Sequence, residues 1–365
     1  MSILPRVAVI YVSYHCDEHL PDAVRALLHC AYPAERLALV VVDNPAPGYG
    51  SSAGFIERTL AAEAGASPLE TALLAQQENR GYGAGVNAGI AWAAGHGCEY
   101  VFLHNDDGYV EAGCIGRLVD AMERTASLGA AQPLILLHPE THLVNTARQA
   151  FQYLGFGHCG QYRTRRADLI MDTVEETGSA SGCAVLLRTR VCREVGMLDE
   201  GFFLYQEDLE YSLRLRIAGY RTAVVRDAVF FHKYHFARTA GKYYFLERNR
   251  WAVLLLYYRW RTLLLLLPMG VTMECGLLVL ATAQGWLREK LRAMFYWCRP
   301  GALAHWLRKR KRVQALRTVS DRELLRLATP RVVFADARVE NPLLRHVANP
   351  LLALYWKLAY PLIRW

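Results

Sequence analysis

The stretch that decides the fold is Tyr100-Val101-Phe102-Leu103-His104-Asn105-Asp106-Asp107-Gly108. A mostly apolar run passes directly into two adjacent carboxylates and a glycine, as a buried strand does when it ends at an exposed acidic edge. In an open α/β sheet, ligands gather just beyond the carboxyl ends of the strands. Two neighbouring acids there repel each other and need a cation or a hydrogen-bond network. A hard divalent cation holding a substrate diphosphate suits such oxygen ligands. A solvated turn with two surface acids would carry the same letters, since Asp and Gly are ordinary turn residues. The flanking chain decides between the two.

Upstream, residues 7–12 form a continuous apolar run, as expected of a strand covered on both faces, and it ends in Ser13-Tyr14-His15. Leu20, Ala23, Val24, Leu27 and Leu28 follow at helical spacing. A second apolar run, 37–42, leads into Asp43-Asn44-Pro45. Strand, helix, strand in this rhythm predicts a parallel βαβ unit. The first turn lacks Gly-x-Gly-x-x-Gly, which disfavours a nicotinamide enzyme. Next comes Asn79-Arg80-Gly81-Tyr82-Gly83-Ala84-Gly85. Its alternate glycines let the backbone approach a ligand or another segment closely. A helix over 86–94 would offer its amino end to a phosphate, with Arg80 as a fixed positive charge. A tight glycine-rich turn is the plainer reading.

Downstream, 113–126 reads as a helix, and 138–177 as a long polar loop with little periodicity. A further strand at 181–187 leads to Phe202-Phe203-Leu204-Tyr205-Gln206-Glu207-Asp208 and a helix over 209–218 that Gly219 stops. Glu207 and Asp208 stand where the helix dipole favours carboxylates, so capping is the modest role for Asp208. A last strand is expected over 223–231, leading into His232-Lys233-Tyr234-His235.

Nine cysteines form no Cys-x-x-Cys pair, which argues against structural zinc and a dense disulfide framework. The start shows no secretory signal, because the 7–12 run is too short. Reduced thiols in a cytosolic setting are therefore expected. The net charge is +8, yet 286–326 alone carries 12 Lys/Arg against 3 Asp/Glu, leaving the rest of the chain near neutral. A concentrated basic block implies an anionic partner, lipid or nucleic acid.

In order and spacing, four blocks resemble the family 2 glycosyltransferases of GT-A fold, most nearly the rhamnosyltransferase-like enzymes of bacterial cell-surface polysaccharide. They are the first strand with Asp43-Asn44, residues 79–90, Asn105-Asp106-Asp107, and 202–220 with Glu207-Asp208. Tyr243-Tyr244-Phe245-Leu246-Glu247-Arg248-Asn249-Arg250 also resembles that subgroup. The resemblance implies a nucleotide-binding, mostly parallel sheet flanked by helices over 1–240, and a helical, membrane-associating region over 241–365. It implies an inverting, metal-dependent transfer of rhamnose or another hexose from a nucleoside-diphosphate sugar to a lipid-linked saccharide. Ser13, Tyr14, Asp43, Asn79, Arg80, Asn105 and Asp106 would bind the donor. Asp107 and His232 would hold Mg²⁺ or Mn²⁺. Asp208 would be the general base, with Glu207 in reserve. Asn105 replaces the first Asp of the usual Asp-x-Asp and brings no charge to a metal.

Residues 251–287 are the most apolar part of the chain. The segment 263–283 is about long enough to span a bilayer, but Pro268 and Glu274 weaken that reading, and helices lying in the interface fit equally well. The basic block follows at once with Trp286, Trp297 and Trp306 interleaved, which suits an anionic cytoplasmic leaflet. The tail 350–360 is a second interfacial candidate. The expected location is the cytoplasmic face of the inner membrane, peripheral or monotopic. Two other readings are weaker. Glu247-x-x-Arg250-Trp251 faintly resembles the Gln-x-x-Arg-Trp of processive polysaccharide synthases, which need several spanning helices. A nucleic-acid-binding protein would use the basic block, but no nucleic-acid module is present, so no nucleic-acid partner is expected.

Overall fold

The computed structural model describes residues 4–15, 17–233, 241–333 and 342–365. The chain divides into two compact units that interleave in sequence. Unit 1 takes Met1–Arg148, Gly160–Phe203 and Tyr220–His235; unit 2 takes Gln149–Cys159, Leu204–Gly219 and Phe236–Trp365.

Unit 1 is built on a curled sheet. Its strands are β1 (Val7–Ser13), β2 (Leu37–Asp43), β3 (Glu70–Ala75), β4 (Tyr100–Asn105), β5 (Gly108–Val110), β6 (Leu128–Leu137) and β7 (Val144–Thr146), and, resuming after residue 160, β10 (Val174–Glu176), β11 (Ala184–Arg188) and β12 (Arg221–His232). The intervening β8 (Gln149–Phe151) and β9 (Gly157–Cys159) pair with each other in unit 2. Strands β3, β2, β1 and β4 are mutually parallel, as the βαβ rhythm requires. Antiparallel β11 then joins β4 to β6, and β6 runs parallel to β12. Strand β5 closes back on the last three residues of β12.

The helices α1 (Leu20–Leu28), α2 (Ala53–Ala64) and α4 (Cys114–Arg124) share one core with the odd-numbered positions of β1, Val7, Val9 and Tyr11. The other face takes α3 (Tyr82–Gly95), whose Gly85 and Gly89 lie against Val12 and Ile10. A methyl group at either glycine would press into those side chains, so the small residues let α3 settle on the sheet. Short α5 (Thr189–Val195) follows β11.

Unit 2 holds the β8–β9 hairpin and the helices α6 (Glu207–Ile217), α7 (Gly241–Tyr257), α8 (Trp260–Ala283), α9 (Leu287–Trp297), α10 (Ala302–Ala315), α11 (Asp321–Leu324) and α12 (Asn349–Ala359). Helix α6 is tied to α7 by polar contacts. Glu210, fully buried, receives Arg214 and the Tyr257 hydroxyl.

Three expectations are corrected. The polar stretch 138–177 holds β7 to β10, each three residues long and so too short for an alternation to show. Helix α3 begins a turn earlier than residue 86, at Tyr82. The strand expected from 181 starts at Ala184, because 181–183 serve as a turn in which the Cys183 amide donates to the Ser181 hydroxyl. The last strand ends at His232; Tyr234 and His235 lie outside the described residues. Among the described residues every cysteine is a free thiol.

Candidate active site

Register brings the expected donor residues into one row. Ser13 stands opposite Asp43, and Val12 opposite Asn105, at the carboxyl ends of three adjacent parallel strands. Asp43 is buried, and its Oδ2 accepts from the Ser51 hydroxyl at 2.5 Å. Ser13 is buried too, and its carbonyl accepts the Asn44 amide. Tyr14 is half exposed; its backbone N–H donates to Asp106 Oδ2 at 3.1 Å. The Asp106 carbonyl accepts from the Tyr11 hydroxyl, at 2.8 Å. Backbone and side chain of Asp106 are thus both anchored to β1 and its exit.

Asp107 meets His232 across the β5–β12 ladder. The Asp107 Oδ1 to His232 Nε2 distance is 2.9 Å, and the other ring nitrogen faces Asn145 Oδ1 at 3.3 Å. Asn145 therefore orients the imidazole so that Nε2 faces the carboxylate, the outer-shell arrangement that metal-binding histidines use. Asn105 donates its amide to the same Oδ1 at 2.5 Å. Its oxygen is turned away from Asp107, so Asn105 supports the carboxylate without adding charge. Burial pushes the Asp107 carboxyl up, but the hydrogen bond and charge of His232 and the Asn105 amide outweigh it and hold it below its ordinary value. Gly108 is required next, because a Cβ there would strike the Phe230 ring.

Asp107 and His232 bring one oxygen and one nitrogen to within 2.9 Å of each other. Among the described residues no third His, Cys, Asp or Glu joins them. That set fits a divalent cation of the Mg²⁺ type, which takes one or two protein ligands and fills the rest with substrate phosphate and water.

Arg80 is held by Glu200 at 2.5 Å in a half-exposed pair. Such a pair is worth at most about 1 kcal/mol, so it leaves the guanidinium available to a stronger anion. Asn79 Oδ1 accepts the Gly81 amide at 2.8 Å, turning the chain where Gly81 has φ +92°. A Cβ on Gly81 would overlap the backbone of Phe203, whose carbonyl accepts the Tyr82 amide at 2.9 Å.

Unit 2 carries the remaining pair. The carbonyls of Leu204 and Tyr205 both accept from Asn249 Nδ2, at 3.0 and 2.7 Å, and Asn249 is fully buried. Tyr205 and Gln206 have φ of 65° and 67°, a region side chains other than glycine seldom occupy. Asp208 Oδ1 accepts the Leu209 amide at 2.7 Å. Gln206, the residue at the cap position, makes no side-chain capping bond. Glu207 Oε2 is buried without a hydrogen-bond partner. Burial first, and the charge of Asp208 second, push the Glu207 carboxyl up to about 8. At neutral pH the Glu207 carboxyl therefore favours its protonated form.

Residues 5–253 match the family model described as "Glycosyltransferase like family 2". The chain belongs to glycosyltransferase family 2. Relatives include the N-acetylglucosaminyl-diphospho-decaprenol L-rhamnosyltransferases of two Mycobacterium tuberculosis strains, 31% identical over 259 residues, 66% of this chain and 78% of theirs. Among solved structures, GalNAc-T7 with UDP, GalNAc and Mn²⁺ aligns at TM-score 0.55 and 14% identity, covering 70% of this chain and 48% of that one. The mannosyltransferase PcManGT from Pyrobaculum calidifontis, with GDP-Man and Mn²⁺, aligns at TM-score 0.51 and 14% identity over 86% of each. At that identity they speak for the fold, which is GT-A. Four residues of this glycosyltransferase escaped the sequence reading: Ser51, Asn145, Glu200 and Asn249. Asn145, Glu200 and Asn249 act through partners far along the chain, Ser51 through Asp43 eight positions away, and Asn249 stood in a stretch already singled out.

Proposed function

We propose that this glycosyltransferase moves a hexose, rhamnose foremost, from a nucleoside-diphosphate sugar to a saccharide on a polyprenyl diphosphate, with inversion at the anomeric carbon. The acceptor class follows from the name of the mycobacterial relatives. The observation that carries the reading is the Asp107–His232 pair standing beside the row Ser13, Asp43 and Asn105–Asp106. Asp43 would accept from the nucleotide base and Asp106 from the ribose. Ser13 and Tyr14 would line the base pocket, with Asn79 holding the turn that carries Arg80. Arg80 would exchange Glu200 for the diphosphate. Asp107 and His232 would hold Mg²⁺ or Mn²⁺, which when bound offsets charge on the leaving diphosphate.

Asp208 would take the proton from the acceptor hydroxyl as that oxygen attacks. Glu207, holding its own proton, is the poorer base at pH 7. A single displacement needs no second carboxylate as covalent nucleophile. We place the reaction at the cytoplasmic face of the inner membrane.

The test is transfer by the full-length protein onto a prenyl-diphosphate N-acetylglucosamine from a panel of UDP-, GDP- and dTDP-linked sugars, with Mg²⁺ or with EDTA. We expect one donor class to react, the product to have the opposite anomeric configuration, and EDTA to remove both transfer and tight donor binding. A product of retained configuration would dismiss the single displacement, and full activity in EDTA would dismiss the metal.

A further inference from the structure

The described residues include one helix long and apolar enough to cross a bilayer, α8, and only 11% of its apolar window is buried. Trp260, Leu264, Leu267, Val271, Cys275 and Val279 recur every three or four residues, and all are exposed, Leu264 by 68%. From Leu264 to Ala283 no exposed residue of α8 is charged. Helix α12 divides in the same way. Leu352, Trp356 and Ala359 are buried, while Leu351, Leu354 and Leu358 are exposed on the opposite side. The two helices are joined, since the Tyr355 hydroxyl donates to the Leu265 carbonyl at 2.5 Å.

Glu274 decides how α8 can meet a membrane. It is the helix's one acid, about 21 Å from the first residue at 1.5 Å per residue. In a crossing helix it would stand inside the hydrocarbon, about 30 Å thick. It is paired with Arg250 of α7 and Lys290 of α9, and both cations also hold Glu247. Lys290 and Arg250 are almost wholly buried. A crossing α8 would therefore drag four charges and parts of two more helices into the lipid. Helix α9, at 11 residues, rises only about 16 Å and cannot reach the far side.

The charges around the stripes name the partner. Among the described residues from 241 on, Glu247, Glu274, Glu289 and Asp321 are buried or half-buried, and Glu323 is the exposed acid. Exposed cations are many, among them Arg261, Arg288, Arg308, Arg312, Arg345 and Lys357. We propose that α8 and α12 together form an in-plane docking surface for an anionic bilayer, with α8 lying at the headgroup–acyl boundary instead of crossing it. The proposal rests on the membrane-borne acceptor proposed above, and it supplies the means by which the enzyme meets that acceptor.

Full-length protein floated with phosphatidylcholine vesicles containing phosphatidylglycerol tests this. We expect binding that falls about tenfold or more in Leu264→Glu/Leu354→Glu, because apolar contact and charge both contribute to such binding. Circular dichroism and donor affinity should be unchanged in that variant. An impermeant maleimide trapped inside the vesicles should leave the exposed Cys298 unlabelled. Labelling from the lumen would mean that α8 crosses. Equal binding by the variant, or a stable dimer that ignores vesicles, would overturn the surface. Transfer to a short-chain, detergent-soluble acceptor by protein that ignores vesicles would overturn it while sparing the proposed reaction. Vesicle binding without transfer to any acceptor would do the reverse.

Discussion

At the scale of single residues, the adjacent Glu207 and Asp208 carry different parts in the reaction proposed above. Adjacent carboxylates cannot both ionise cheaply, and burial settles which one keeps its proton. The unpartnered Oε2 of Glu207 and its rise to about 8 mark it as the neutral member. An acid with a raised folded pKa binds a proton between about pH 4.5 and 8, where the unfolded chain has lost it. Its stabilising effect is then complete below about 4.5 and is lost as pH rises through about 8. We predict that Glu207→Gln flattens the fall in melting temperature over that window, an effect on the order of a few kcal/mol. A parallel pH–stability curve for the variant would remove Glu207 from this role. For Asp208→Asn we predict a folded protein that binds donor normally and transfers about 10²–10⁴-fold more slowly, the usual cost of a lost base. The Asn side chain still offers an oxygen to the Leu209 amide, so stability should move by ~1 kcal/mol or less. Turnover above about a tenth of the parent rate would assign the base elsewhere.

Among elements, the turn ahead of α6 is the clearest case of structure that the sequence does not display. Nothing in Leu204-Tyr205-Gln206 announces left-handed backbone, since glycine is absent. The conformation is imposed from α7, where Asn249 holds two carbonyls with one amide nitrogen. Arg248 Nε donates to Asn249 Oδ1 at 2.8 Å and fixes which end of the amide faces the turn. Strain of this kind persists only where its surroundings over-determine it. Asn249→Asp keeps the shape and removes the donor. We predict that it slows transfer well beyond its effect on donor KM and lowers stability by about 1–3 kcal/mol, the cost of leaving buried partners unmade. A variant with normal kcat would show the turn to be irrelevant to α6. The parallel half of the sheet was readable because β1, β2 and β4 are long apolar runs with acids or a hydroxyl at their ends. Strand β6 is buried at all ten positions, yet it went unread, as did α2 and β3. Gln132 and Pro133 interrupt the middle of β6, and a proline there argues against a central strand when the sequence is read alone. The short strands β7 to β10 depend on tertiary partners. The same is true of Asn145 and Ser51, which matter only through His232 and Asp43.

For the whole molecule, the consequence is that the C-terminal helices cannot be treated as a removable anchor. Helix α6, which carries Glu207 and Asp208, belongs to unit 2 together with α7 to α12. Its buried Glu210 depends on Tyr257, and the carbonyl of Ile217 at its end accepts the Thr318 amide at 2.8 Å. The β8–β9 hairpin is tied to the same region, for the Phe151 carbonyl accepts the Thr329 amide. Cutting the chain after residue 240 would strip these partners. It would leave the Glu210–Arg214 ion pair without the Tyr257 hydroxyl, and losing a hydrogen bond to a buried charge costs about 1.5–3 kcal/mol. The residues proposed to bind the donor, by contrast, lie wholly in unit 1. We therefore predict that a chain ending at residue 240 still binds the nucleotide diphosphate with Mg²⁺, because Asp43, Asp106, Asp107 and His232 keep their partners. It should melt at a lower temperature and transfer no sugar, even to a soluble acceptor that needs no membrane. Calorimetric titration with the diphosphate, a thermal melt and a soluble-acceptor assay separate the three outcomes. Wild-type transfer by the truncated chain would show that α6 holds its place without α7, and the C-terminal helices would then serve attachment alone.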